Sequence, residues 1–188
     1  TMEKVMLDTE EESFKILKEK KFLCVLGGEH SVSQAPVKAA KRIYKDLSVL
    51  QFDAHLDLRD AYLGDKYSHA SVMSRVEEDT PIVQVGIRSF SEEEYEKIKK
   101  GNYNIFYAKD IHDNKSWFKR AIENLSDNVY ITFDIDAFDP SIIPGTGTPE
   151  PGGLSWYLIC DFLKEIFFHR NVVGVDIVEV APQESSSV

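Results

Sequence analysis

The chain has 188 residues, 43% hydrophobic and 29% charged, an ordinary globular composition long enough for one domain with a sizeable core. Its formal net charge of −10, with no long basic stretch, argues against a nucleic-acid partner. No apolar run reaches bilayer-spanning length and no signal peptide is evident, so a cytoplasmic setting without membrane partners is expected, with Cys24 and Cys160 as buried thiols.

In chain order, Thr9-x-x-Glu12 has the form of a capping box and predicts a helix to about Lys20. Phe22 to Leu26 is an apolar run of strand length, ended by Gly27-Gly28. A helix follows whose regular part is expected near Pro36, since proline suits a first turn. Leu47 to Phe52 is the next strand, and Ser68 to Val76 a short helix or loop. Ile82 to Gly86 is a strand, Ser91-x-x-Glu94 caps a helix, and Gly101 closes it. Strands are further predicted over Asn104 to Tyr107, Val129 to Ile135 and Val172 to Val178, with helices at about Ser116–Asn124 and Ser155–Phe168. Short buried strands alternating with helices imply an α/β fold with a mostly parallel sheet flanked by helices on both faces.

Four polar clusters fall where predicted strands end: Gly27-Gly28-Glu29-His30, Asp53-Ala54-His55-Leu56-Asp57, Asp134-Ile135-Asp136 and Asp176-Ile177-Val178-Glu179. Residues two apart in extended chain share a face, so Asp53, His55 and Asp57 can converge, as can Asp134 and Asp136. Parallel sheets bind ligands beyond the carboxyl ends of their strands, and these clusters belong to one such rim. Packed carboxylates are costly without a cation among them. Four aspartates with two neutral histidines carry −4, which two divalent ions would neutralise, and the oxygen-rich set suits manganese better than structural zinc. Other sites fit less well. No EF-hand loop is present, and the Gly27-Gly28 turn lacks the lysine of a phosphate loop. Asp134-Ile135-Asp136 alone resembles the paired aspartates of phosphoaspartyl phosphatases, but Phe138 stands where they carry Thr or Val.

Gly27-Gly28-Glu29-His30-Ser31, Phe52-Asp53-Ala54-His55-Leu56-Asp57, Phe133 to Pro140 and Val178-Glu179-Val180-Ala181-Pro182 together resemble the signatures of the ureohydrolases, the arginase and agmatinase enzymes. The loop Pro144 to Gly153 is more similar to the agmatinase version, and Tyr67-Ser68-His69-Ala70 resembles the catalytic-histidine segment, with Ala70 where Gly is usual. The resemblance implies a three-layer arginase-like fold, here incomplete at both ends, so residues 1–188 are expected to be a single domain from a longer chain. It implies two Mn2+ ions, one held by His30, Asp53, Asp57 and Asp134, the other by His55, Asp53, Asp134 and Asp136. The implied reaction cleaves a small guanidino substrate, agmatine above others, to urea and an amine, in a homo-oligomer. Asp57 would orient the attacking hydroxide, His69 would carry a proton to the leaving amine, and Glu179 would pair with the guanidinium. Arginase, a guanidino-acid hydrolase or a non-catalytic homologue are the alternatives. Asp139-Pro140 reads as a turn, His112 and His169 as surface or packing residues, and Trp117 and Trp156 as core.

Overall fold

The computed structural model describes residues 2–182. Its elements are α1 (Met2–Lys18), β1 (Leu23–Leu26), α2 (Gln34–Ile43), β2 (Leu47–Phe52), α3 (Val72–Val76), β3 (Ile82–Ile87), α4 (Glu92–Lys100), β4 (Asn104–Tyr107), α5 (Ala108–Ile111), α6 (Phe118–Glu123), β5 (Asn128–Asp134), α7 (Trp156–His169) and β6 (Asn171–Val178). Short 3-10 turns lie at His30–Ser33, His69–Ser71 and Ile135–Ala137. The strands form one sheet in the order β1-β6-β5-β2-β3-β4, with every pair parallel. Each parallel connection therefore crosses over a face, and helices cover both faces to make three layers.

Alternation along β2 sorts the core. Leu50 and Phe52 face one cluster, closed by Trp117, Phe118 and Ala121 of the α6 region and by Phe162 and Ile166 of α7. Leu47 and Val49 face the other, closed by Leu17 of α1, Val37 and Ala40 of α2, and Val72 and Met73 of α3. Phe162 is fully buried, with Trp117 at 4.3 Å and Phe118 at 4.8 Å between ring centroids. Truncating such a side chain to alanine typically costs about 3–5 kcal/mol.

Several expectations are corrected. Thr9 lies inside α1, which begins at Met2, so Thr-x-x-Glu here is part of an established helix rather than its cap. The Ser91–Glu94 capping box does form, with both reciprocal hydrogen bonds. Helix α5 is an element that the sequence pattern did not mark. Cys160 is half-buried and Cys24 exposed, the latter because, among the described residues, β1 is an edge strand with Cys24 and Leu26 on its uncovered face; Leu26 is 80% exposed. Trp117 is core, but Trp156 is 52% exposed and stacks on Phe138 at 5.3 Å. His112 and His169 lie at the surface beside Asp113 and Glu165. Asp139 braces its turn by accepting the backbone N–H groups of Ser141, Gly152 and Gly153.

The topology positions the polar clusters. Strands β1, β6, β5 and β2 are consecutive neighbours in the sheet, and each ends in one of the clusters. At β3, Gly86 adopts φ +100, and a Cβ there would stand 3.0 Å from the Asp53 carbonyl oxygen. A side chain would thus be strained and would press on the strand end that carries Asp53.

Candidate metal centre and active site

Asp53 is the first residue past β2, fully buried, with its two carboxylate oxygens facing different partners. Oδ2 lies 3.2 Å from His30 Nδ1, and Oδ1 lies 3.5 Å from His55 Nδ1. His30 Nδ1 is also 3.1 Å from Asp57 Oδ2 and 3.5 Å from Asp134 Oδ2. His55 Nδ1 lies 3.0 Å from Asp136 Oδ2. The fold thus brings His30, Asp53, His55, Asp57, Asp134 and Asp136 together as two adjoining candidate ligand groups that meet at Asp53. His30, Asp53 and Asp134 form one compact set, and Asp53, His55 and Asp136 the other.

Local geometry explains the convergence. The end of β5 turns directly into a 3-10 turn in which Asp134 accepts the Asp136 N–H, 2.9 Å away, so both carboxylates stay on the rim. Asp136 Oδ1 accepts the Ala54 N–H at 2.9 Å, joining the β5 and β2 ends. Asp57 adopts φ +55, a left-handed conformation that is strained for a non-glycine residue and turns the chain back toward the site. Its carbonyl accepts the N–H groups of Met73 and Ser74 at the start of α3, and Glu94 holds the next residue through the Leu58 N–H at 2.9 Å.

The electrostatics reflect negative charge taken out of water. Burial would raise the Asp53 carboxyl, but the facing imidazoles of His30 and His55 outweigh it and hold Asp53 well below the usual range. Burial and the Asp53 charge push Asp57 up to about 7 and raise Asp134 and Asp136 as well. Burial lowers His55, yet Asp136 and Asp53 raise it to about 11, and His30 is likewise lifted by Asp134, Asp53 and Asp57. The cluster therefore retains protons that a cation would displace. His30 Nδ1 is buried, faces three carboxylates and is aligned in a hydrogen bond with none of them. An oxygen-rich set with two imidazoles and such an orphaned nitrogen fits two divalent cations.

Above the ligands opens a cleft of ≈ 250 Å³, bordered by His30, His55, Asp57, His69, Thr148 and Glu179 among others. Asp53 and Asp136 lie beneath its floor. Glu179, just past β6 with φ +61, is not free of partners within the fold. Its Oε1 accepts the His30 backbone N–H at 2.6 Å, a contact between residues far apart in sequence. His69 sits across the cleft in its own 3-10 turn, apart from the ligand groups. Of the Gly145–Gly153 loop, Thr148 reaches the cleft.

A supporting ring escaped the sequence reading. Gln51 Nε2 donates to Asp53 Oδ2 at 2.6 Å and is itself held by Gln84 at 2.6 Å. Thr132 Oγ1 lies 2.9 Å from His30 Nε2 and donates to Asp176 Oδ1 at 2.8 Å. Asp176 is thus a fully buried residue within β6 rather than part of the rim. Arg88 donates to the carbonyl oxygens of Asp136 at 2.6 Å and Glu150 at 2.8 Å, pinning the loops on either side of the site. A signal was available: Gln51 and Thr132 each precede a candidate ligand by two residues and are polar inside strands buried on both faces.

The arginase family model matches residues 1–187, and the chain belongs to the arginase family. It is 40% identical over 171 residues to the N(1)-aminopropylagmatine ureohydrolase of Synechocystis sp., a match covering 89% of this chain and 56% of that protein. It is 39% identical over 178 residues to the agmatinase of Bacillus cereus, covering 92% of this chain and 60% of that protein. The crystal structure of the agmatine ureohydrolase of Thermoplasma volcanium superposes with a TM-score of 0.86 at 34% identity, covering 97% of this chain and 62% of that one. The chain therefore spans less than two thirds of the length of these relatives.

Proposed function

We propose that the protein is a binuclear-metal hydrolase that cleaves an amine-bearing guanidine, agmatine first among them, to urea and an amine, here putrescine. The observation that supports this most is Asp53, which offers one oxygen to each histidine-containing ligand group beneath a cleft bordered by Glu179. His30, Asp53, Asp57 and Asp134 would hold one ion, and His55, Asp53, Asp134 and Asp136 the other, with manganese the favoured metal. Two divalent ions, when bound, supply water activation at neutral pH. Glu179 accepts the planar donors of the guanidinium and aligns its carbon over the ligand floor. Asp57 orients the attacking water, and His69 delivers a proton to the departing amine nitrogen.

A second substrate, agmatine carrying an N1-aminopropyl group, is supported by the relatives of that name at about 40% identity. Urea release from agmatine, its aminopropyl derivative, arginine and guanidino acids, with and without manganese, tests both substrates. Agmatine turnover that requires manganese is expected, and no urea from any of them overturns the proposal. A cytoplasmic homo-oligomer belongs to the same proposal and is checked by light scattering of the purified chain.

A further inference from the structure

Glu29 lies in the turn between β1 and the His30–Ser33 segment, and its carboxylate is spent on the other side of the cleft. Oε1 lies 2.8 Å from His69 Nδ1 and also accepts the His69 backbone N–H at 3.1 Å. Oε2 accepts the Ser31 hydroxyl at 2.8 Å, which fixes the carboxylate plane. One residue thus grips both the ring and the main chain of His69, across forty positions of sequence. The Tyr62 ring meets the imidazole edge-on, with centroids 5.5 Å apart, and limits its rotation further.

We propose that Glu29, braced by Ser31, is the positioning residue of His69, setting its tautomer and aiming Nε2 into the cleft. An ionised carboxylate only accepts, so the nitrogen facing it must carry a hydrogen. In the neutral ring the Nδ1–H bond to Glu29 therefore leaves Nε2 with a free lone pair, and Nε2 has no protein hydrogen-bond partner among the described residues. When Nε2 takes up a proton, the imidazolium keeps its Nδ1–H bond to the anionic Glu29. Passing that proton on restores the same tautomer, so the ring returns ready without a flip. This assignment rests on His69 as the proton carrier of the proposed reaction. The sequence hides the pairing, because Glu29 stands beside a metal-ligand candidate while its partner lies in a different loop.

The test reads the ring directly. Long-range 1H–15N correlation spectra of the histidine-labelled chain, at a pH where His69 is neutral and with His69→Ala to assign its signals, are expected to show Nδ1–H and a bare Nε2. Glu29→Ala should shift His69 toward the Nε2–H form, while Glu29→Gln, which keeps an acceptor oxygen, should retain Nδ1–H. In the manganese-loaded chain, Glu29→Ala should lower kcat by about tenfold to a hundredfold with KM nearly unchanged, as for loss of an outer partner that orients a histidine. Wild-type His69 found as Nε2–H, or a tautomer unaltered by Glu29→Ala, would overturn the proposal. Turnover undiminished in His69→Ala would instead remove His69 from the reaction and leave the tautomer result standing by itself.

Discussion

Thr132 stands directly behind His30: its Oγ1 is 2.9 Å from His30 Nε2, so the ring nitrogen opposite is the one turned toward the carboxylates. The hydroxyl passes its own hydrogen to Asp176, and the three residues form a buried line running from the ligand floor into β6. Thr132→Val keeps the shape and removes that support. Manganese affinity should fall about tenfold to a hundredfold, as expected for an outer-sphere partner of a ligating histidine. Thr132→Ser should retain most of it. Titration calorimetry on the two variants decides the matter, and unaltered affinity in the valine variant would remove Thr132 from the metal site.

Stability in the absence of metal should fall as pH rises. Asp57 keeps its proton to about 7 in the fold, against an ordinary value of 3.8. Over that interval the unfolded chain has released a proton that the folded chain still holds, so folding weakens with rising pH. His30 and His55 act in the same direction. Their raised values make the imidazolium contribution complete below about 6.5 and progressively lost above it, for His55 until about 11. Asp53, held low, contributes stability above 3.8 that is lost only in stronger acid as pH falls through its lowered value. Thermal melts in a chelator should therefore decline steadily from pH 5 to pH 9. With saturating manganese the slope should flatten or reverse, because cation binding gains as the ligands lose protons. A metal-free chain that grows more stable across this range would contradict the charge balance described.

Glu179→Gln leaves an oxygen that can still accept the His30 N–H, so the loop should keep its course. What disappears is the negative charge available to a guanidinium, an interaction on the order of 1.5–3 kcal/mol. We expect kcat/KM to drop at least about tenfold with manganese content preserved. Undiminished kcat/KM would place guanidinium recognition elsewhere.

Asp57→Asn imitates the protonated side chain that the buried site favours, and asparagine tolerates the left-handed φ of +55. At pH 8 the metal-free variant should be more stable than the parent by about 1–4 kcal/mol. For a chain of this size that is about 2–4 °C in Tm for each kcal/mol. Turnover should fall at the same time. Calorimetry in chelator beside a urea assay with manganese would check both, and a lower Tm would show that the ionised carboxylate stabilises the fold.

Much of the scaffold could be read from the chain because its strands are short and largely apolar; β2 at Leu47–Phe52 and β4 at Asn104–Tyr107 begin and end where expected. The clustering of the candidate ligands was legible from spacing as well, since period-two spacing after a strand puts Asp53 beside His55 and Asp134 beside Asp136. Other features depend on what lies opposite. Residue type does not reveal that β1 is at an edge, so the exposure of Cys24 and Leu26 could not be read locally. Thr9-x-x-Glu12 has a cap's spacing, but a capping box needs a non-helical first residue, and Thr9 is already within a turn. Glu29, Thr132 and Gln51 act through partners 40, 102 and 33 positions away, beyond any local pattern.

The place of β6 in the sheet governs when the site can exist during synthesis. In the last described segments of the chain, β6 inserts between β1 and β5, and among the described residues it is the strand with which β1 pairs. Among the described residues, the strand partner of β1 and of the turn carrying Glu29 and His30 therefore arrives only with residues 171–178. The aspartates of β2 and β5 can be paired earlier, since those strands adjoin one another. His30 is thus aligned with them through β6, whose end also brings Glu179. Closing loops of this length before any metal can be fully coordinated is entropically slow. The unpaired edges exposed in the interval are where aggregation of the nascent chain would begin.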